Sequence, residues 1–267
     1  MRKIKQIIKP QSQVPDDKTD YLLCLALDIG EAMLKNGAEI HRVENTVERL
    51  CMAYGAVHTE IFAIPTMIIA AIRMEDGSYS SQMRRVAGSE TNVHKVELFN
   101  DISRKACSET PDLPILDDMI KSAKQKKTYP YWFVCFGAAL ATGILTIFFG
   151  GSYRDAIVAA VIGAIIALGE KIPAGNVNTF AKITLQSFVA GSLACIAVWA
   201  GIGQNPDKIM MGTIMYSIPG LTMGIAMRDL FYGDFIAGSL KIIQACLVSL
   251  MIALGYFLAM IAFTGVL

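Results

Sequence analysis

The second half of this 267-residue chain has very little charge. Residues 131–267 hold only 6 of the 24 Lys+Arg and 5 of the 23 Asp+Glu, and from residue 128 onward there are uncharged runs of 26, 24, 19 and 26 residues. Roughly 20 apolar residues in a helix cross a hydrocarbon core about 30 Å thick. The shortage of charge therefore excludes a single water-soluble globule. The six cysteines (Cys24, Cys51, Cys107, Cys135, Cys195, Cys246) show no paired spacing and no CxxC. That argues against a disulfide framework or zinc ribbon and reads them as small apolar residues. A basic stripe is missing too, and the net charge of +1 does not suit a nucleic-acid binder. There is no HExxH, no glycine-rich phosphate loop and no Ser, His and Asp arrangement. Behind the basic start Met1-Arg2-Lys3-Ile4-Lys5 no apolar stretch follows, so no signal peptide is expected.

What is present in the first half is a balanced set of 18 basic and 18 acidic residues up to residue 130. It reads as a flexible N-terminus over 1–20 and a small α+β cytosolic domain over 21–127. Leu22, Leu25, Ala26, Ile29, Ala32 and Met33 recur at helical spacing, and Gly37 breaks the pattern. A second helix puts Ile40, Val43, Val47, Leu50, Cys51 and Tyr54 on one face. Its other face carries Glu39, His41, Arg42, Glu44, Asn45, Glu48 and Arg49, and Gly55 stops it. Residues 57–63 alternate, 66–74 are rich in Ile, and Asp76-Gly77 is a hairpin turn into 78–86. Val93, Val96, Phe99, Ile102 and Ala106 mark a third helix, and Pro111 and Pro114 precede a fourth over about 115–126. The predicted order is ααβββαα.

His41, Glu44 and Glu48 share a helix face, and His58 and Glu60 follow soon after. Carboxylate and imidazole at such spacing are able to ligate a metal. The preferred reading is a solvated face with internal ion pairs, because Glu44 and Glu48 lie within about a turn of Arg49. No metal and no cofactor are expected, and the chain is not read as an enzyme.

The charge-poor half, 128–267, is expected to form about five transmembrane helices near 131–149, 156–170, 183–203, 209–227 and 235–263. The second is the weakest, with 14 uncharged residues between Asp155 and Glu170, a length that also fits a re-entrant or buried helix. Lys121, Lys124, Lys126 and Lys127 precede the first span and belong on the cytoplasmic side. Five spans then place Lys171, Lys182 and Arg228 inside with Arg154 and Lys208 outside, giving a cytoplasmic N-terminus and an outer C-terminus. Small residues recur one turn apart at Gly137/Ala141, Gly163/Ala167, Ala190/Ala194 and Gly220/Gly224, spacing that lets helices approach closely.

Tyr216-Ser217-Ile218-Pro219-Gly220 lies inside the fourth span. Pro219 removes a backbone donor and Gly220 loosens the helix again. Such a break is either a packing kink or part of a transporter site. Arg228-Asp229-Leu230-Phe231-Tyr232-Gly233-Asp234 follows at the cytoplasmic boundary, where Asp234 can N-cap the fifth span. Lys241 lies roughly 10 Å along that helix, placed either to snorkel or to face inward toward an anionic group. Arg228 and Lys241 are the candidate substrate cations, while Asp229 and Asp234 hold them or carry a proton. The polar turn with Asn176 and Asn178 is a second candidate, as gate or loop.

Two segments carry a resemblance. Asn36-Gly37-Ala38-Glu39-Ile40-His41-Arg42-Val43-Glu44-Asn45-Thr46, followed by Ala53-Tyr54-Gly55, is similar to the opening motif of the threonine/serine exporter family. Ile218-Pro219-Gly220, Ala226-Met227-Arg228-Asp229-Leu230 and Gly233-Asp234 resemble its second signature. The resemblance covers about residue 21 to the end. It implies a secondary exporter of small polar metabolites in the cell membrane, amino acids or carboxylates. It also implies two-component organisation, with this chain as the larger part beside a small membrane partner, and a homo-oligomer is left open. Gly37, His41, Arg42 and Glu44 are then the motif residues of the front domain. The alternatives are a non-transporting membrane anchor or regulator, and a metal-dependent membrane hydrolase using the His41/Glu44 face.

Overall fold

The computed structural model describes residues 18–88, 90–126, 129–171 and 178–263. Of the stretch 1–20 expected to be flexible, residues 1–17 lie outside them and Lys18–Asp20 open the first helix; residues 172–177, most of the segment expected as a polar turn, also lie outside them. The described residues form two compact units. The first gathers residues up to Lys126 together with Arg228–Ala237, and the second holds the rest.

In the first unit the order is α1 (Lys18–Lys35), α2 (Ile40–Ala53), β1 (Ala56–Ile64), β2 (Met67–Met74), β3 (Tyr79–Arg85), α3 (Val93–Glu109) and α4 (Leu113–Gln125). This is the order that the periodicities predict. The strands form an antiparallel meander, β1-β2-β3. Its inner face presents Ala63, Ile68, Ala70 and Ile72 to α1 and α2. The outer face aligns Phe62, Ile69 and Met83 in register. α1 is buried on more sides than a single apolar stripe suggests: Leu23, Leu27 and Leu34 are as inaccessible as Leu22 and Ile29. It packs on the sheet and also on α3 and α4, so two faces of it are covered. The remaining stripe carries Asp28, whose carboxylate binds Arg84 (3.1 Å) and Lys124 (2.7 Å).

The second unit contains α5 (Tyr131–Phe148), α6 (Tyr153–Glu170), α7 (Thr179–Trp199), α8 (Pro206–Ser217), and most of α9 (Gly220–Tyr232) and α10 (Phe235–Phe263). Three of these, α5, α7 and α10, are long and apolar enough to cross a membrane. α8 and α9 make a fourth if the bent pair is one span. α6 is 18 residues long but carries Arg154, Asp155 and Glu170 at its ends, and it is not among the three. Where α6 buries charge, it is satisfied. Asp155 is fully buried and closes a capping box with Ser152. It also accepts from the backbone N–H of Gln204 (2.6 Å) and Asn205 (3.1 Å).

Packing in this unit is small inside and large outside, as a lipid-facing bundle requires. Ala138, Ala159, Ala167, Ala190 and Ala194 are buried, while Trp132, Ile144, Ile157 and Leu185 are exposed. Of the small-residue pairs, Gly163/Ala167 and Ala190/Ala194 are used for close approach. A Cβ at Gly163 would collide with Thr142, whose hydroxyl donates to the Ala159 carbonyl across the α5–α6 contact at 2.9 Å. Gly137, Gly220 and Gly224 have no heavy atom within 4 Å of that position.

Candidate functional site

Most residues of the two motifs meet in the first unit. α1 closes on Gly37, in the left-handed region at φ 88°, with the N–H groups of Gly37 and Ala38 turned back to Leu34 and Met33. α9 closes the same way on Gly233 at φ 94°, with Gly233 and Asp234 bonding back to Leu230 and Asp229. Only glycine takes that backbone cheaply. The two turns present complementary groups. α2 begins after Glu39, whose side chain does not cap the helix. The Ile40 N–H instead donates to the Asp229 carboxylate at 3.1 Å, from 189 residues away, and Asp229 is 1% exposed. The neighbouring Arg228 guanidinium binds the Glu39 carboxylate. His41 stacks on Tyr232 at 5.1 Å with planes 9° apart.

Further along α2, Glu44 accepts from the Ala63 N–H of β1 at 2.7 Å. Burial pushes its carboxyl above the ordinary value despite that bond, and the charge of Asp234 adds to the shift. Arg42 is exposed, and its carbonyl accepts from the Thr46 hydroxyl at 2.7 Å. A cavity of about 380 Å³ is lined by His41, Glu44, Asn45, Glu48, Thr59 and Glu60. His58 and Glu60 form an exposed pair at 3.2 Å. Among the described residues no group of three or more His, Cys, Asp or Glu is placed to hold a metal.

The second place of interest is the break in the second unit. α8 stops at Ser217, Ile218 turns extended, and α9 leaves at 47° to α8. Pro219 has no N–H for the Met215 carbonyl, and the Gly220 N–H turns to Ile218 instead (2.8 Å). Beside the last turn of α8 lies a cavity of about 280 Å³, lined by Glu170, Lys182, Gln186, Tyr216, Ser217 and Tyr256, with apolar neighbours. The Lys182 ammonium donates to the Glu170 carbonyl at 3.1 Å, and the Gln186 amide donates to Ile166 at 2.7 Å. Tyr256 is buried and donates to Thr213 at 3.0 Å.

Pro219 and Gly220 form the break but do not line this cavity, and neither does any residue of α9. The wall is the C-terminal end of α8, and the N–H groups at the start of α9 are not part of it. Lys241 is buried on α10 outside that lining. Asn178 caps α7 through the Phe180 N–H at 3.0 Å, and Asn176 lies outside the described residues. Glu170, Lys182, Gln186 and Tyr256 were not singled out as ligands by sequence reasoning. The available signal was Lys182 and Gln186 one turn apart on an otherwise apolar helix.

The family profile described as "Putative threonine/serine exporter" matches residues 24–263. The chain belongs to the threonine/serine exporter family. It is thus a multi-pass membrane protein of a transporter family, not an enzyme family. A Mycobacterium tuberculosis protein named "Probable threonine/serine exporter" is 22% identical over 251 residues, covering 92% of this chain and 47% of that protein. An uncharacterized Schizosaccharomyces pombe protein is 20% identical over 238 residues, 86% of this chain and 28% of its own length. The chain therefore spans less than half of either relative. A Klebsiella aerogenes protein named "Probable succinate transporter subunit YjjP" is 21% identical over 230 residues, covering 85% of this chain and 88% of that protein. No solved structure matches the chain significantly.

Proposed function

We propose that this chain is the larger component of a secondary exporter that moves a small polar metabolite, an amino acid or a carboxylate, out of the cytosol. The observation that carries the reading is the broken α8–α9 helix beside a charged cavity in a largely apolar bundle. Freed backbone at membrane depth is tolerated where a cavity or protein satisfies it, and broken helices build many transporter sites. Pro219 and Gly220 then act as the gating element.

Arg228 and Asp229 fit better as positioning residues than as substrate ligands, since Glu39 and the Ile40 N–H already engage them. Within the first unit they tie the start of α2 to the turn between α9 and α10. A small membrane partner is part of the proposal, because the relative of similar extent is named as a subunit. The unfilled Gly220/Gly224 face of α9 is suited to close helix approach.

The test is gradient-driven flux of radiolabelled threonine and of succinate in vesicles, with and without the candidate partner. Flux that needs both components supports the reading. Full flux from this chain alone removes the partner, and no flux of either solute under any gradient removes the exporter.

A further inference from the structure

We propose that the outer face of the β1-β2-β3 meander is where two copies of this chain pair, sheet on sheet. The pairing lies in the first unit and does not depend on what the membrane unit carries. Helices α1 and α2 cover the inner face of the sheet, while the outer face is exposed. An antiparallel sheet with one face in water alternates apolar-in and polar-out. Phe62, Ile69 and Met83 break that pattern. The register sets them side by side in one row across all three strands, at 51%, 38% and 68% exposure. With Tyr79, itself exposed, they leave a patch of roughly 400 Å², the size that marks an interaction site on a monomer. A stable complex covers about 800 Å² per partner, a little over half of it apolar, which the patch and a polar rim would supply.

The face complements itself. Two residues along each strand, about 7 Å away, the next row is Glu60, Ala71 and Ser81. The large side chains are a ridge, and Ala71 with Ser81 makes a trough beside it. A two-fold axis lying between these rows, across the strands, turns the ridge of one copy into the trough of the other. Ile69 then meets Ala71 and Met83 meets Ser81, each contact made twice, as an isologous interface requires. The same operation opposes the two outermost rows, of which Arg85 and Tyr79 are the β3 members. The Arg85 guanidinium of one copy comes over the Tyr79 ring of the other, where the two groups stack favourably. At the usual spacing of about 10 Å the pair is a two-sheet sandwich with helices outside.

A second copy suits this face better than a lipid surface does. Beside the ridge stands Glu60, exposed and paired with His58 at 3.2 Å, and anionic headgroups would repel its carboxylate. In the two-fold pairing Glu60 stands on the edge strand β1, at the rim, where water still reaches it.

The full-length chain, purified in detergent, tests this by mass and by cross-linking. The unaltered protein is expected to be a dimer in sedimentation equilibrium. Phe62→Glu and Met83→Glu place charge where the monomer already meets water. Circular dichroism should therefore show unchanged helix content and melting, while the dimer dissociation constant rises at least tenfold. Phe62→Leu keeps the ridge and should keep the dimer. In a cysteine-free chain in cell membranes, Ile69→Cys lies near the axis and should be joined to its copy by a bis-maleimide of about 10 Å reach, the spacing of facing sheets. Glu97→Cys, on the exposed side of α3, should not. A monomeric unaltered chain, a dimer indifferent to both charged variants, or equal cross-linking from Ile69→Cys and Glu97→Cys overturns the proposal. A bilayer or a different subunit covering this face gives the first of these results.

Discussion

Asp229 shows how one carboxylate can serve a helix to which it is not linked in sequence. α2 starts without a side-chain cap of its own, and Asp229 accepts the Ile40 N–H while almost fully buried. Losing a cap costs about 0.5–2 kcal/mol. Asp229→Ala should lower the stability of the first unit by that order, with faster amide exchange at Ile40. Asp229→Asn keeps an acceptor and should retain most of it. Equal loss in both variants would mean that charge, not the cap, matters. Glu44 makes a pH-dependent case. Burial raises its pKa in the folded protein, so the folded form holds this proton more tightly than the unfolded chain. Stability then falls as pH rises from the ordinary glutamate value, about 4.3, through the raised one, and the cost is complete above it. Glu44→Gln keeps an oxygen for the Ala63 N–H and removes that cost. It should stabilise the first unit at pH 7 and lose the advantage below about pH 4, read by denaturation at both pH values. A gain of equal size at both would sink the burial argument. His41, Glu44, Arg228 and Asp229 stand out in the sequence through the resemblance. The contacts of Arg228 with Glu39 and of Asp229 with the Ile40 N–H do not, because 189 residues separate Ile40 from Asp229 and local periodicity carries no information across that distance.

At the scale of elements, helix stops were the most readable feature, since Gly37 and Gly55 take a backbone that other residues avoid. The Asp76-Gly77 turn and the alternation of 57–63 gave the meander for similar local reasons. The break at Pro219 was visible as a missing donor, but its direction was not: whether the ligand meets the end of α8 or the start of α9 depends on which neighbours enclose it. Pro219→Ala returns an N–H to the Met215 carbonyl and should straighten the 47° bend between α8 and α9. Flux per inserted molecule should then fall at least tenfold, while near-normal flux would make the proline a packing kink. Small-residue spacing was likewise ambiguous, because four stripes look alike in sequence and only contacts distinguish them. A Cβ at Gly163 would meet Thr142, whereas one at Gly137 meets nothing. Gly163→Ala should cost about 1–3 kcal/mol through overpacking and lower the yield of folded protein. Gly137→Ala should leave that yield unchanged, and similar yields for both would mean that α5 and α6 have room to adjust.

For the whole molecule, α6 decides how many times the chain crosses the bilayer. Its 18 residues extend about 27 Å at 1.5 Å per residue, close to the hydrocarbon thickness of about 30 Å. Its charges sit at the two ends, Arg154 and Asp155 at one and Glu170 at the other, and Asp155 is satisfied by the chain around 204–205. A helix with an apolar middle and its charges at the two rims suits a crossing better than a re-entrant turn. The lysines at 121–127 favour the cytoplasm for the start of α5. A crossing α6 then places Tyr153 outside and Lys171 inside, with the chain before α1 cytosolic and the end of α10 outside. The check is labelling of single cysteines, placed at Tyr153 and at Lys171 in a cysteine-free background, with a membrane-impermeant maleimide on intact cells and on inverted vesicles. Tyr153→Cys should react only in cells and Lys171→Cys only in inverted vesicles. A reporter fused after Leu267 should be exposed on intact cells. If both cysteines react from the same side, α6 does not cross, the ends of the chain share one face, and the Glu170–Lys182 cavity would open to the outer side, where an exporter releases its substrate rather than takes it up.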